Sequence, residues 1–212
     1  ATLAYDTGSS IITTAGDAYH VAYVLGDAAN DIFNFGGTLL LNNQYVADAA
    51  SEALGVIVAA TINVTGATTL NSAMRVAGGD NTGSNTTFTL KNTSTFTGSV
   101  TLNEMGATDI ASIVVGDDGT ASTVSFNGGL LVQATGEGLL DVNAGGELQT
   151  IAGAIGTTSL RIGEVQTTSI ATFSGAVAAA LVDVNAATTF SSTVNSTAVT
   201  VDSGAATFTG LL

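Results

Sequence analysis

The sequence contains no proline, no cysteine and no tryptophan. Without cysteine the chain has no disulfide framework and no thiolate metal site. Secreted proteins without disulfides also occur, so this absence does not indicate a cytosolic protein. Proline cannot donate a hydrogen bond to a β ladder, and its average share in proteins is about 5%. Its complete absence therefore favours a backbone that is mostly laddered.

Basic residues are almost missing. Lys91, Arg75 and Arg161 stand against 17 acidic residues, and the formal net charge is −14 at pH 7. Nucleic acids and anionic membrane surfaces both require a basic footprint, so we exclude both as partners. No apolar run reaches the ~18 residues of a transmembrane helix, so no transmembrane segment is expected. Divalent cations are the favoured counter-ions.

The chain is also poor in residues for nucleophilic catalysis. His20 is the only histidine, and it lies in an alternating segment on the face opposite Tyr19 and Val21. Because a Ser or Thr nucleophile needs an adjacent base, we assign no catalytic residue and expect no enzyme. Only 9% of the residues are charged, so solubility depends on hydroxyls and amides. That composition is typical of assembling surface proteins.

What the chain does contain is a short pattern that returns about eight times. Each copy begins with two apolar residues separated by one residue of any type. After a short polar gap comes a bulky apolar residue, and a last apolar residue follows three or four positions later. The copies are FNFGGTLLLNNQY (33–45), INVTGATTLNSAM (62–74), FTLKNTSTFTGSV (88–100), IVVGDDGTASTVSFNGGL (113–130), LDVNAGGELQTI (140–151), LRIGEVQTTSIATFSGAV (160–177), VDVNAATTFSSTV (182–194) and VTVDSGAATFTGL (199–211). A repeat of this length is the signature of a solenoid or array.

The spacing inside the copies separates a constant part from a variable part. The second apolar residue and the bulky residue are six positions apart in five copies. These pairs are Phe35 and Leu41, Val64 and Leu70, Leu90 and Phe96, Val142 and Leu148, and Val184 and Phe190. The gap is seven from Val201 to Phe208, and eleven from Val115 to Phe126 and from Ile162 to Phe173. We interpret the constant positions as an inward face and the insertions as corners.

These patterns predict an all-β fold, a β-solenoid of about eight coils whose repetitive part spans residues 61–212. Residues 1–60, which include all four tyrosines, form an atypical N-terminal region that caps the solenoid or docks onto a neighbouring subunit. An antiparallel β-sandwich fibre subunit is the alternative. A helix is expected only at 47–54. Asn143 and Asn185 lie at matching corners and are candidates for an amide ladder.

Phrases in residues 61–212 such as ATFSGAV, TTFSSTV, ATFTGLL and LDVNAGGEL carry a family resemblance. They resemble the β-helical passenger regions of bacterial autotransporters and the Thr/Ala/Gly-rich surface-array, adhesin and matrix-fibre proteins of bacteria. The resemblance implies a right-handed parallel β-helix and an extracellular or cell-surface location. It carries no catalytic motif.

Two acidic residues recur at one place of the pattern. Asp141 and Asp183 each lie between two inward residues of their copies, and Arg161 has that place in the copy between them. We therefore expect an outer row in the order Asp–Arg–Asp. A charge-balanced ladder is the favoured interpretation. The alternative is a polysaccharide-cleaving pair, because glycoside hydrolases use two carboxylates about 5–9 Å apart.

Calcium is the candidate cofactor, because it binds carboxylate, amide and carbonyl oxygens. Three Gly-flanked acidic loops, at 26–31, 78–85 and 116–119, offer such ligands. The candidate metal ligands are Asp27, Asp31, Asp80, Asp117 and Asp118. None of the loops has EF-hand spacing, and solvated turns are the alternative interpretation.

The expected function is that of a structural subunit in an extracellular filament, surface layer or biofilm-matrix fibre. Copies of the chain would be its partners, joined by strand pairing or by end-to-end stacking, because the chain has no proline and one lysine to blunt its β edges. The alternating segment with Leu3, Tyr5 and Ile11 could be donated to a neighbour as an added strand. An adhesin or a stalk that binds cell-surface glycans is the alternative, followed by a β-helical polysaccharide lyase or hydrolase.

Overall fold

The computed structural model describes most of the C-terminal half of the chain and separate segments of the N-terminal half. The described residues are 2–4, 11–25, 31–47, 60–64, 69–70, 74–78, 85–90, 95–96, 99–104, 110–116, 124–143, 145 and 147–212. Within them every regular element is a β-strand, and no helix occurs.

Twenty strands lie in the described residues. They are β1 (Thr2–Ala4), β2 (Ile11–Leu25), β3 (Asp31–Ala47), β4 (Ala60–Val64), β5 (Thr69–Leu70), β6 (Met74–Gly78), β7 (Asn85–Leu90), β8 (Thr95–Phe96), β9 (Val100–Glu104), β10 (Ile110–Val115), β11 (Ser125–Phe126), β12 (Leu130–Val132), β13 (Leu139–Val142), β14 (Gln149–Ile151), β15 (Ile162–Thr167), β16 (Ala171–Phe173), β17 (Val177–Val184), β18 (Thr188–Phe190), β19 (Val194–Val201) and β20 (Ala206–Phe208).

The strands form two sheets, and all the described strand pairs are parallel. The large sheet has thirteen strands, with the order β12-β9-β6-β3-β4-β7-β10-β13-β15-β17-β19; in addition, β2 pairs with β3, and β1 pairs with β2. The small sheet has seven, in the order β20-β18-β16-β14-β11-β8-β5. The all-β prediction is confirmed, and the antiparallel sandwich does not fit this parallel pairing.

From β13 onwards the chain alternates regularly between the two sheets. Val184 of β17 pairs with Thr167 before it and Val201 after it, and each partner is 17 positions away. A third pairing site recurs in the same repeats, because isolated bridges join Leu130 to Ile155 and Ile155 to Val177. Each repeat thus pairs with its neighbours at three places. This is compatible with the predicted β-solenoid.

The repeats share one hydrophobic core, and phenylalanines stack through it. The rings of Phe173 and Phe190 have centroids 5.0 Å apart with planes inclined by 16°. Phe190 and Phe208 also stack at 5.0 Å, with planes inclined by 6°. The spacing equals the distance between strands, because the register places one ring directly over the next. Phe173 and Phe190 are buried, and Phe208 is half-buried against this core.

Three polar side chains, those of Thr167, Thr188 and Gln149, interrupt the apolar inward face, and all three are hydrogen-bonded there. The hydroxyls of Thr167 and Thr188 lie 2.9 Å apart, and Thr188 also donates to the Ala186 carbonyl at 3.0 Å. Gln149, fully buried, accepts a 2.7 Å hydrogen bond from the backbone N–H of Val124. Because their polar atoms have partners, these residues take core positions without a large desolvation penalty.

The corner after the small sheet is built from glycine. A Cβ at Gly153 would overlap the carbonyl oxygen of Gly128, and one at Gly175 would overlap that of Gly153. Gly153 also donates its N–H to the carbonyl of Phe126. At Gly153 and Gly175 the backbones of successive repeats therefore approach too closely for a side chain.

The register places the predicted residues in one row, which is buried from Val115 to Val184, and it corrects one member of this row and one of the bulky row. The row runs through Phe35, Val64, Leu90, Val115, Val142, Thr167, Val184 and Val201. The assignment of Ile162 to it was wrong, because the hydrogen-bonded Thr167 has that place. The assignment of Leu148 to the bulky row was also wrong. Ile151 lies between Phe126 and Phe173 there, and Leu148 is 48% exposed.

Three other predictions have partial answers. Asn143 and Asn185 do lie at matching corners, but Thr168 has the same place in the repeat between them, which interrupts any amide ladder. Residue 47 ends β3, and residues 48–54 of the expected helix lie outside the described residues. The large sheet runs across the predicted domain boundary at residue 60, since β3 pairs with both β4 and β6.

We expect Phe190→Ala to destabilise the chain strongly. The ring is 1% exposed and lies between two stacked rings, so its removal leaves a cavity and breaks both stacks. Such substitutions cost about 3–5 kcal/mol. Urea unfolding followed by circular dichroism measures the loss. Phe208→Ala is the matched control and should cost less than half as much. Equal losses at both positions would contradict the described core.

Candidate functional site

Two surfaces of the described chain carry features that packing alone does not require. The first is an acidic surface on the outer face of the large sheet, formed by Asp141 of β13, Glu164 and Gln166 of β15, and Asp183 of β17. The second, which we call the open edge, consists of β19, β20 and residues 209–212. The two surfaces are described in turn.

The acidic surface arises from strand alternation and register. Asp141, Gln166 and Asp183 pair in one row across three neighbouring strands. Their sequence neighbours Val142, Thr167 and Val184 are buried, so this row faces outward. The expected Asp–Arg–Asp order was wrong, because Gln166 has the middle place.

Arg161 lies outside this row, ahead of β15. Its guanidinium donates to the side-chain oxygen of Asn195 and, at 3.1 Å, to the hydroxyl of Thr197. It reaches these partners across the intervening strand β17, in which Ala178 pairs with Asn195. Arg161 therefore links two repeats and does not neutralise Asp141 or Asp183.

Burial and neighbouring charge raise the pKa of Asp141 to about 6. Burial is the larger cause, and the carboxylate of Glu164 on the next strand adds to it. One carboxylate oxygen of Asp141 is buried without a hydrogen-bond partner. The pKa of Glu164 is raised as well, chiefly by burial and then by the charge of Asp183. The ionised form of Asp141 is thus disfavoured in the folded chain.

Asp183 shows the opposite behaviour. Its pKa is lowered, chiefly by the 2.7 Å hydrogen bond that Thr200 donates to it. Asn185 also donates to it at 2.7 Å, and Gln166 contributes in the same direction, while burial opposes them. The acidic surface therefore contains one carboxyl group that tends to hold a proton and one that stays ionised. Among the described residues no group of three or more His, Cys, Asp or Glu side chains is arranged to hold a metal ion.

The open edge is the exposed end of both sheets in the described chain. β19 pairs only with β17, and β20 pairs only with β18. Val201 is 48% exposed, although the equivalent Val184 and Val142 are fully buried. Leu211 is 77% exposed, and its carbonyl accepts a 2.7 Å hydrogen bond from Val194. Residues of the inward rows are thus uncovered at this end.

The backbone of the open edge has hydrogen-bonding groups directed away from the sheets. The N–H of Asp202 donates to the carbonyl of Val184 in β17. Because N–H groups alternate in direction along a strand, those of Val199 and Val201 point away from β17. An open pocket of about 520 Å³ lies along the same strand and is lined by residues 193–199 and by Leu211 and Leu212. Asp202 is the only charged side chain between Val194 and Leu212.

The sequence-predicted metal ligands lie largely outside the described residues. Asp27, Asp80, Asp117 and Asp118 are not described, and Asp31 begins β3, where it pairs with Ala60. Calcium binding therefore stays a prediction.

The predicted assembly residues are partly described. Leu3 lies in β1 and pairs with Val24 of β2, and Ile11 lies in β2 and pairs with Ile32 of β3. Tyr5 lies outside the described residues. Strand donation by this segment would use the free side of β1 or require β1 to leave β2, and it also stays a prediction.

Sequence reasoning missed the open edge and Glu164. The edge had a signal, because the repeat pattern continues with the same inward residues up to Val201 and Phe208. No signal in the sequence indicated Glu164, because the copy at 160–177 was assigned the wrong register and so did not place Glu164 beside Asp141 and Asp183.

Comparison with protein-family models, curated proteins and solved structures gave no significant match. In the part of the chain that the structure describes, no helix is long and apolar enough to cross a membrane.

We expect Asp141→Asn to stabilise the chain at neutral pH. Because the pKa of Asp141 is raised on folding, its ionisation destabilises the fold above about pH 6, and this effect is absent below the unfolded pKa near 4. With allowance for solvent screening, the gain at pH 7.5 is on the order of 1 kcal/mol, or about 2–4 °C in Tm. Thermal unfolding of both proteins between pH 4 and 8 measures it. A gain of equal size at pH 4 would contradict the assignment.

We expect EDTA to lower the Tm if the acidic loops bind calcium, because a ligand at about 100 times its Kd stabilises by about 2.7 kcal/mol. The double variant Asp117→Asn/Asp118→Asn should lose this response. Asp202→Asn, outside the three loops, is the control and should keep it. A wild-type Tm that is the same in EDTA and in calcium removes the calcium hypothesis.

Proposed function

We propose that this chain is a β-solenoid and a structural subunit of an extracellular assembly, such as a filament, a surface layer or a biofilm-matrix fibre. Copies join by strand pairing at the open edge, so that one solenoid continues into the next. The observation that carries the proposal is the unshifted parallel pairing of successive repeats, which a further repeat could continue beyond β19 and β20 in the described chain.

The solenoid form rests on the pairing pattern. Each repeat from β13 onwards contributes one segment to the large sheet and one to the small sheet, and the bridges through Leu130, Ile155 and Val177 add a third. A chain that pairs in parallel with its own next repeat at three successive places winds around a common axis. The single core with stacked Phe173, Phe190 and Phe208 lies along that axis.

Assembly at the open edge rests on three properties of that edge. It offers unpaired backbone groups, which template the addition of another strand. It exposes Val201 and half-exposes Phe208, which a further repeat would cover. It also lacks lysine and proline, the residues that commonly prevent such pairing. A second copy that adds one repeat here would extend every row in register. The extracellular location follows from the resemblance and the composition.

We expect Val201→Lys to prevent end-to-end growth. A lysine in the inward row would be buried without a partner when another repeat covers it, and that costs several kcal/mol. Association should weaken at least tenfold, since about 1.4 kcal/mol corresponds to that factor. Negative-stain electron microscopy and concentration-dependent light scattering measure it.

Ala198→Lys is the matched control, since Ala198 lies on the same strand but on its outward face, in register with Leu181, and is already exposed. It adds the same charge and should still assemble. A wild-type chain that remains monomeric at high concentration, or equal assembly by both variants, contradicts the proposal.

The acidic surface supports a second candidate function, cleavage of a polysaccharide. Asp141 and Asp183 are two strands apart, so their backbones lie about 9.5 Å from each other, near the upper limit for an inverting glycoside hydrolase. Their pKa values shift in opposite directions, as an acid and a base require. Release of reducing sugar from acidic polysaccharides, lost in both Asp141→Asn and Asp183→Asn, would favour this candidate. No release by the wild type removes it.

A further inference from the structure

The outer face of the small sheet carries a continuous row of hydroxyl side chains. Ser125, Thr150, Thr172, Thr189 and Thr207 occupy the same register position in five neighbouring strands. In β14, β16 and β18 this residue lies between two buried neighbours, so it points outward. The register continues without a shift through β8 and β5.

Small and apolar residues flank this row on both sides. Two positions before it lie Leu148, Ile170, Ala187 and Ala205, and two positions after it lie Ala152, Ser174, Ser191 and Thr209. Leu148 is 48% exposed and Ile170 is 42% exposed. We call the row and these flanks the threonine face.

The threonine face carries no charge, although the chain has a net charge of −14. In the same repeats the outer face of the large sheet carries Asp141, Glu164 and Asp183. Two copies that approach through their large sheets therefore repel each other, whereas two threonine faces meet without a charge at the contact. This difference favours the threonine face as the side through which copies pack.

The chemistry of the threonine face fits a second copy of itself. Within the described residues, the hydroxyls of Thr150, Thr172 and Thr189 make no hydrogen bond to the chain. They are therefore available to the hydroxyls of a facing row, as in Thr–Thr pairs between strands. The threonine methyl groups, Leu148 and Ile170 supply apolar contact. Small, β-branched and uncharged residues are those that interdigitate when two sheets stack about 10 Å apart.

The size of the threonine face decides when this contact can form. Five strands spaced by about 4.8 Å, each contributing about 13 Å of its length, present roughly 300 Å². A stable protein–protein interface buries about 800 Å² per partner. One copy is therefore too small to hold another through this face, whereas about three copies stacked end to end reach the required area.

We propose that the threonine face is the lateral contact between filaments of this chain, and that it forms only after end-to-end stacking. The inference rests on the proposed function, because stacking joins the threonine faces of successive copies into one continuous strip. Each added copy then binds to the facing filament as part of an already attached array, which raises the avidity of the whole. Salt screens the repulsion between the acidic surfaces, so bundling should increase with ionic strength.

Electron microscopy of the double variant Thr172→Lys/Thr189→Lys tests this contact. The two lysines place positive charges from both partners opposite each other in the facing rows. We expect wild-type filaments to form bundles that widen as salt is raised from about 0.02 to 0.15 M. The double variant should form filaments of unchanged length and of single width at the same concentrations. Leu181→Lys, at a half-buried outward position of the large sheet, is the control and should bundle like the wild type.

The outcomes separate the two proposals. Wild-type filaments that stay single, or bundles that persist in the double variant, overturn the lateral contact and leave end-to-end assembly intact. Single wild-type filaments that bind an insoluble neutral polysaccharide, with binding lost in the double variant, would show that a glycan occupies the threonine face instead. The absence of any filament overturns end-to-end assembly, and the lateral contact with it.

Discussion

The parallel hydrogen-bonded register between successive repeats is the constraint on which the rest of this structure depends. In a parallel ladder without shifts, the residue of one repeat lies directly beside the equivalent residue of the next. Each position must therefore suit a whole row. Phe173, Phe190 and Phe208 stack at 5.0 Å because the strands have that spacing, and the glycines of the corner recur because the backbones meet there.

The same register has a different effect on each outer face. On the large sheet it brings Asp141, Glu164 and Asp183 onto neighbouring strands. Burial and then neighbouring charge raise the pKa of Asp141 and Glu164, whereas hydrogen bonds, chiefly from Thr200, lower that of Asp183. On the small sheet the register aligns hydroxyl side chains into the uncharged threonine face. At the open edge, no described repeat covers the last residues of the inward rows. Each candidate functional surface thus results from the alignment of equivalent residues in rows. Our proposals assign the open edge to end-to-end assembly and the threonine face to lateral contact between filaments.

Much of the inward face could be predicted from the apolar pattern, and the errors have a common cause. The pattern was correct where an apolar residue filled the row at the expected spacing, as at Val142, Val184 and Phe190. It failed at Thr167, because a threonine whose hydroxyl has a buried partner takes a core place that a search for apolar residues gives to Ile162. Placing Ile162 in the row instead of Thr167 gave this copy the wrong predicted register. The wrong register put Arg161 in the acidic row and left Glu164 out of the acidic surface. The buried Gln149 had a similar effect, since Leu148 looked like the better core residue.

By itself, the sequence determined that the chain is β-structured, repetitive and acidic, because composition and the recurrence of apolar residues do not depend on register. It also determined that the chain has no basic footprint for an anionic partner, and that it has one lysine and no proline to prevent pairing at its strand edges. Only the tertiary structure decided which residues are neighbours across strands, and so which carboxylates share a surface and which hydroxyls align. The physical reason is that insertions of variable length separate the copies, so spacing along the chain does not define pairing. Hydrogen bonds between repeats, and the burial of polar groups that find partners, define it.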